Sequence, residues 1–206
     1  MPTSSTAPSG DGGLPLLCCG FFPEMKRPKS CLPLKIDEPI TVEPYNPAWV
    51  AQFISESAVL SRAFSIEPSR VEHIGSTAVV GMHAKPIVDI MLGLDSLPPP
   101  AAILARLCSS GYEALGEAGV PGRLYFRKRA PTAFNAQAVL FSGRLWGDNL
   151  LLRDFLKAHP TEARRYSDEK LRLFHAGHRT LLAYSAAKES TVVELLATAH
   201  RCNQGV

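Results

Sequence analysis

Apolar residues along this chain recur with two different spacings, and the switches between them mark its elements. From Pro47 to about Phe64, the residues Trp49, Val50, Phe53, Ile54, Leu60 and Phe64 largely fit one face at helical spacing, which predicts an amphipathic helix with Trp49 as a core anchor. Asn46 and Pro47 suit its N-cap and first position. A short β-prone run, Ile40 to Val42, precedes it. Val71 to Ile74 and Ile87 to Leu94, the latter interrupted only by Asp89 and Gly93, predict strands flanking a Gly-containing turn. After three prolines at 98–100, a helix is expected over Ala101 to Ser109, ending at Gly111. Short strands follow near Tyr112 to Leu115, Leu124 to Lys128 and Phe134 to Phe141. Three helical stretches close the pattern, Leu145 to Ala158, Thr161 to Ala176 and Arg179 to Arg201, with His159-Pro160 and Gly177 at the breaks. There is no internal repeat.

Strands thus gather before the last three helices, which reads as an α/β chain of the α+β kind with helices segregated to its C-terminal part. The 206 residues are 46% hydrophobic, enough for one core and too few for two independent enzyme domains. Residues 1–38 are rich in Pro, Gly and Ser, lack periodicity and end on the basic residues Lys26, Arg27 and Lys29. They read as a disordered tail before a domain spanning 39–202.

A net charge of +3 and a pI near 8.6 are only mildly basic, so attraction to phosphate must come from local clustering. The five cysteines, Cys18, Cys19, Cys31, Cys108 and Cys202, are odd in number and scattered, with no CxxC pair, which suits a reducing, cytoplasmic location. No apolar run approaches the roughly 18 residues of a membrane span. The stretch Leu14 to Phe22 is broken by Pro15 and Gly20 and has no basic residue before it, so neither a span nor a secretory leader is expected. Adjacent Cys18 and Cys19 lack an upstream lipidation motif.

The chemistry concentrates in VEHIGSTAVVGMHAKPIVDIML, residues 71–92. Gly75 has no side chain to keep backbone N–H groups from a phosphate, and the Ser76 hydroxyl adds a hydrogen bond. Thr77 and Lys85 surround that turn. Asp89 stands in an apolar strand, where an unpaired charge would cost several kcal/mol, so it needs a partner: a cation or substrate on one reading, Lys85 or an arginine on the other. Ser76 reads as a phosphate binder before a nucleophile, because no positioned His-Asp pair is visible; His73 and His83 are the nearby candidates for base or hydrogen-bond roles. A second cluster, Arg123, Arg127, Lys128 and Arg129 with Tyr125 and Phe126 between, forms a basic strand. Alternation puts Arg123, Tyr125, Arg127 and Arg129 on one face, and Leu124, Phe126 and Lys128 on the other. Arg123 and Arg127 are the expected anion binders. His175 and His178 lack a third ligand for a metal.

Three blocks carry a family resemblance: VEHIGSTAVVGMHAKPIVDI, then GEAGVPGRLYFRK at 116–128, then LLRDFLKAHPTEARRYSDEK at 151–170, with AYSAAK ending at Lys188. In this order they resemble the GrpB family of nucleotidyltransferase-like proteins. The resemblance implies a small mixed sheet of nucleotidyltransferase type flanked by helices, a cleft beside the Gly-Ser turn, and a helical C-terminal part closing over it. It implies Ser76 and Asp89 as catalytic residues, with Gly75, Thr77, Lys85, Glu117, Arg123, Arg127, Lys128, Arg153 and Lys188 around substrate and Asp89 as a ligand to Mg2+. Asp154 and Lys170 lie in the same matching blocks, while Arg164, Arg165 and Arg172 read as exposed helix charges. Two departures stand out. Two-metal transfer needs a pair of acids one residue apart on a strand, yet the partner of Asp89 is Met91. The later strand, where a His-x-His pair would stand, offers Ala136, Gln137 and Ala138. The expected function is a transferase acting on a nucleotide or other phosphate-bearing substrate. Two alternatives remain open: aminoacyl-tRNA-dependent peptide-bond formation, as in arginine-containing cyclodipeptide synthases, or a non-catalytic nucleotide-binding module, like the related folding-accessory domain fused to dephospho-coenzyme A kinase.

Overall fold

The structure, a computed structural model, describes residues 37–205. The readings placed on Cys18, Cys19, Cys31 and the basic run at 26–29 lie outside the described residues. Among the described residues the order is α1 (Ala48–Phe64), β1 (Val71–Ile74), β2 (Val88–Leu94), α2 (Ala101–Ser109), β3 (Glu113–Ala114), β4 (Leu124–Lys128), β5 (Phe134–Leu140), α3 (Arg144–Ala158), α4 (Pro160–His175), α5 (Leu181–Ala187) and α6 (Glu189–Asn203). The five strands form one sheet in the order β1-β2-β5-β4-β3. Only β2 and β5 run parallel; the other pairs are antiparallel. The mixed sheet with flanking helices agrees with the sequence expectation.

α1 starts where expected: Ala48 N–H donates to Asn46 Oδ1 at 2.9 Å, and Pro47 occupies the position whose N–H would have no partner. Its buried stripe is Trp49, Glu56, Leu60 and Phe64, with Phe53 half-buried. Val50 and Ile54, placed on the apolar face by the sequence reading, are exposed, because steps of three and four from Trp49 lead to 53, 56, 60 and 64. That stripe packs against Val88, Ile90, Leu92, Ala136, Ala138 and Phe126 on one face of the sheet. The opposite face carries Ile74, Met91 and Val139 against Trp146 of α3. Gly93 makes room there: a Cβ would come within 2.6 Å of the Phe141 ring and 2.9 Å of Trp146.

The expected strand at 112–115 shrinks to two residues, since Tyr112 turns into the core. The last expected helix is two, α5 and α6, meeting at Lys188. Asp37 and Glu38, assigned to the tail by composition, are held by the domain. Leu181 N–H donates to the Glu38 carbonyl at 2.8 Å and Leu182 N–H to Asp37 Oδ1 at 2.9 Å. Among the described residues, no helix is long and apolar enough to cross a membrane.

Candidate functional site

Strand register assembles the site. Asp89 sits opposite Ile74, the last residue of β1, and beside Asn135 of β5. The chain leaves β1 through Gly75, at φ 69° and ψ −169°, into a single 3-10 turn over Ser76–Ala78. Only glycine adopts that backbone readily, and space demands it as well: a Cβ would lie 2.7 Å from Asp89 Oδ2. The turn and the carboxylate are therefore in contact.

Asp89 Oδ1 accepts a hydrogen bond from Asn135 Nδ2 at 2.7 Å. Asn135 Oδ1 in turn accepts from Arg129 at 3.1 Å, and Arg129 forks onto Glu38 at 2.6 to 3.1 Å. The partner of Asp89 is thus an amide oriented by an arginine, where sequence reasoning had weighed Lys85 or a direct arginine contact. From α4, 94 residues away, Lys170 donates to Ser76 Oγ at 2.9 Å and to the His83 carbonyl. Its ammonium lies 4.8 Å from the Tyr166 ring, and the side chain is 1% exposed. Ser167, one turn back, accepts the His83 N–H at 2.9 Å, fixing the loop that carries that carbonyl.

Asp89 acts electrostatically on His73, Lys85, Arg123, Tyr125 and Lys170. Burial pushes Lys85 down to about 8 and Lys170 to about 7; Lys188 repels both, while Asp89 opposes the shift. Burial, reinforced by Asp89, pushes Tyr125 up to about 12. Partial burial pushes His73, half-buried and stacked 4.8 Å from Phe53, down to about 4, against the pull of Asp89. Lys85, Lys170 and Lys188 have no carboxylate within ion-pair distance among the described residues. Glu38 also reaches Lys85 electrostatically, but its oxygens are engaged by Arg129 and Arg127.

The remaining expected residues divide. Gly75, Ser76, Lys85, Asp89 and Lys188 gather here, and Arg123 faces Asp89 electrostatically while bonding to the Glu117 and Ala118 carbonyls at 2.9 to 3.3 Å. Glu117 spends its carboxylate on the Gly122 N–H at 2.9 Å, bracing that loop. Thr77 is buried, with His73 Nε2 3.0 Å from its hydroxyl. Arg153 binds Glu72, Asp154 and the His73 carbonyl, so it ties α3 to β1. Arg127 pairs with Glu113 at 2.7 Å. Lys128 points to the opposite face, onto Glu56 at 3.0 and 3.2 Å. Three cations of the basic strand expected as an anion surface, Arg127, Lys128 and Arg129, are therefore engaged in internal ion pairs.

On β5, the positions facing the Asp89 side are Asn135 and Gln137, in register with Asp89 and Met91; Ala136 and Ala138 belong to the core face. Asn135 is taken by Arg129, and Gln137 donates to Asn149 at 3.3 Å. Among the described residues, no group of three or more His, Cys, Asp or Glu could hold a metal. One carboxylate flanked by two amides and ringed by lysines does not fit a two-metal centre.

Sequence reasoning gave Lys170 no partner and passed over Asn135, Glu38 and Glu56. A signal existed for two of them. Lys170 falls on the apolar stripe of α4 with Ala163, Tyr166 and Leu173, and Glu56 on that of α1; a charge at a core position of a helix must have a buried partner.

A mixed sheet with a glycine-serine turn against a strand carboxylate, capped by a lysine from the C-terminal helices, defines a class that comparison identifies. Residues 39–198 match the family described as GrpB protein, and the chain belongs to that family. It is 34% identical over 170 residues to a UPF0157 protein of Pseudomonas aeruginosa, covering 79% of this chain and 69% of that one. It is 30% identical over 162 residues to the UPF0157 protein YqkA of Bacillus subtilis, covering 78% of this chain but only 47% of the relative. The crystal structure of conserved protein GrpB from Enterococcus faecalis superposes with a TM-score of 0.71 at 28% identity, covering 80% of this chain and 99% of that one.

Proposed function

We propose that this GrpB-family chain is a transferase that binds a nucleotide or another phosphate-bearing substrate between the Gly75-Ser76 turn and the wall formed by Lys85 and Lys188, with Lys170 buried behind Ser76. One observation carries the reading: three lysines converge on a site whose uncommitted carboxylate is Asp89 alone among the described residues. Burial already strains the Lys85 ammonium and Lys188 repels it, so an anion between these two lysines relieves both desolvation and mutual repulsion. Arg123, within the field of Asp89, offers a further cation. Asp89 orients the group that attacks.

Calorimetric titration of ATP, GTP and pyrophosphate, with uncharged nucleosides as controls, tests the reading. Phosphate-bearing ligands bind and nucleosides do not, and Lys85→Met and Lys188→Met each weaken binding by about tenfold, the loss of one charge-assisted contact. Failure of every phosphate-bearing ligand to bind removes the proposal. A second reading, a non-catalytic binding module, is favoured by Met91, Asn135 and Gln137 standing where two-metal transfer uses ligands. Binding without turnover, with and without Mg2+, would select it.

A further inference from the structure

We propose that Ser76 is a covalent nucleophile and Lys170 its general base, a serine-lysine dyad closed between the turn after β1 and the buried face of α4. The Ser76 hydroxyl lies 2.9 Å from Lys170 Nζ, a reacting distance. Ser76 is partly open to solvent while Lys170 is buried, so the nucleophile is reachable and its base is sheltered from water. The second contact of Lys170, to the His83 carbonyl, fixes its orientation. A neutral amine keeps one N–H for that carbonyl and turns its lone pair toward the Ser76 O–H, with no movement of heavy atoms.

The surroundings favour the neutral form. Tyr166 lies on the same helix, His83 and Lys85 on the loop before β2, Asp89 on β2, and Tyr184 and Lys188 at the α5 and α6 junction. Among these, burial and the two lysines outweigh Asp89, and Lys170 falls to about 7.

The chemistry of the site selects an acyl donor. Attack on phosphorus requires an already anionic centre to approach Asp89, whereas a carbonyl electrophile is uncharged before attack. The substrate class is an acyl group whose leaving group carries phosphate, and this part rests on the anion-binding reading above. Ser76 Oγ attacks the carbonyl carbon as Lys170 takes the hydroxyl proton. The bond from acyl carbon to the phosphate-bearing oxygen breaks, and that group leaves as an anion toward Lys85 and Lys188. An acceptor then attacks the acyl-serine ester; Ser76 Oγ departs and recovers its proton from Lys170, while the acceptor's proton passes to water.

Two probes on the full chain separate the dyad from the anion site. Acetyl phosphate has a phosphate leaving group, and 4-nitrophenyl acetate needs no anion site. Intact-protein and peptide mass spectrometry after acid quench should show one acetyl group on Ser76 from either probe and none at that position in Ser76→Ala. Lys170→Gln and Lys170→Arg, checked for wild-type melting, should acylate on the order of 100-fold more slowly. The wild-type rate should climb between pH 6 and 8. No acylation of Ser76 by 4-nitrophenyl acetate in protein that still binds pyrophosphate overturns the dyad and spares the anion site. Acylation by 4-nitrophenyl acetate but not acetyl phosphate, without pyrophosphate binding, does the reverse. A folded Lys170→Gln reacting at the wild-type rate overturns the dyad. Should both lysine variants fail to fold, a wild-type rate that stays flat across that pH range overturns it instead.

Discussion

Replacing Gly75 with alanine places a single methyl where the fold leaves no room, and its cost divides into two separable parts. The backbone at φ 69° and ψ −169° lies in a region that is essentially glycine-only, at a cost of roughly 1–3 kcal/mol for any other residue. The new Cβ would meet Asp89 Oδ2 at 2.7 Å, with the carboxylate Cβ and Cγ at 3.2 and 3.3 Å. The carboxylate must swing away, giving up the 2.7 Å hydrogen bond from Asn135, a contact to a charged group of roughly 1.5–3 kcal/mol. With partial relaxation the sum is roughly 3–5 kcal/mol, measured as a lowered urea midpoint at unchanged m. In an Asp89→Ala background the carboxylate clash and the hydrogen bond are both absent and only the 3.2 Å approach to the residue 89 Cβ remains, so Gly75→Ala should cost little beyond the backbone part, roughly 1–3 kcal/mol. A Gly75→Ala protein within about 0.5 kcal/mol of wild type, or an equal cost in both backgrounds, would refute the contact between turn and carboxylate.

Three further outcomes follow from buried charge. His73 falls to about 4 from an ordinary 6.5, so between those values the unfolded chain binds more protons and stability drops as pH falls. His73→Phe, which retains the stack on Phe53, should flatten that slope in urea midpoints measured at pH 6.5 and 4.5. Lys170 falls to about 7 from 10.5; its burial penalty is complete below pH 7 and relieved as pH rises toward 10.5, so Lys170→Met should gain on wild type at pH 6 and lose that advantage by pH 9. The Lys128 and Glu56 side chains are 14% and 9% exposed, so Lys128→Met alone should cost roughly 3–5 kcal/mol and Lys128→Met with Glu56→Leu much less. Equal loss in the single and double variants would show that packing, not the stranded charge, sets that cost.

The periodic signals in the sequence were sufficient for the elements, because they report interactions within one turn of helix or one step of strand. Asn46-Pro47 set the start of α1, the apolar run interrupted only by Asp89 and Gly93 set β2, and Gly75 marked the turn. They failed at junctions such as Lys188, where a helical backbone of φ −92° and ψ −4° sits between two helices and local pattern reads one.

Sequence by itself determined the family, the mixed sheet with flanking helices that the family implies, and the placing of Gly75 and Ser76 on the turn after β1 with Asp89 in β2. Tertiary structure alone decided which charges are available to a ligand. Arg127, Lys128 and Arg129 look like an open basic strand until Glu113, Glu56 and Glu38 are brought onto them. Lys170 looks like one more helix charge until packing of α4 sets it on Ser76. The physical reason is range: secondary structure is written in neighbours three or four residues apart, whereas the Lys170–Ser76 hydrogen bond joins residues 94 positions apart and the Arg129–Glu38 ion pair residues 91 apart, and both depend on how whole elements pack.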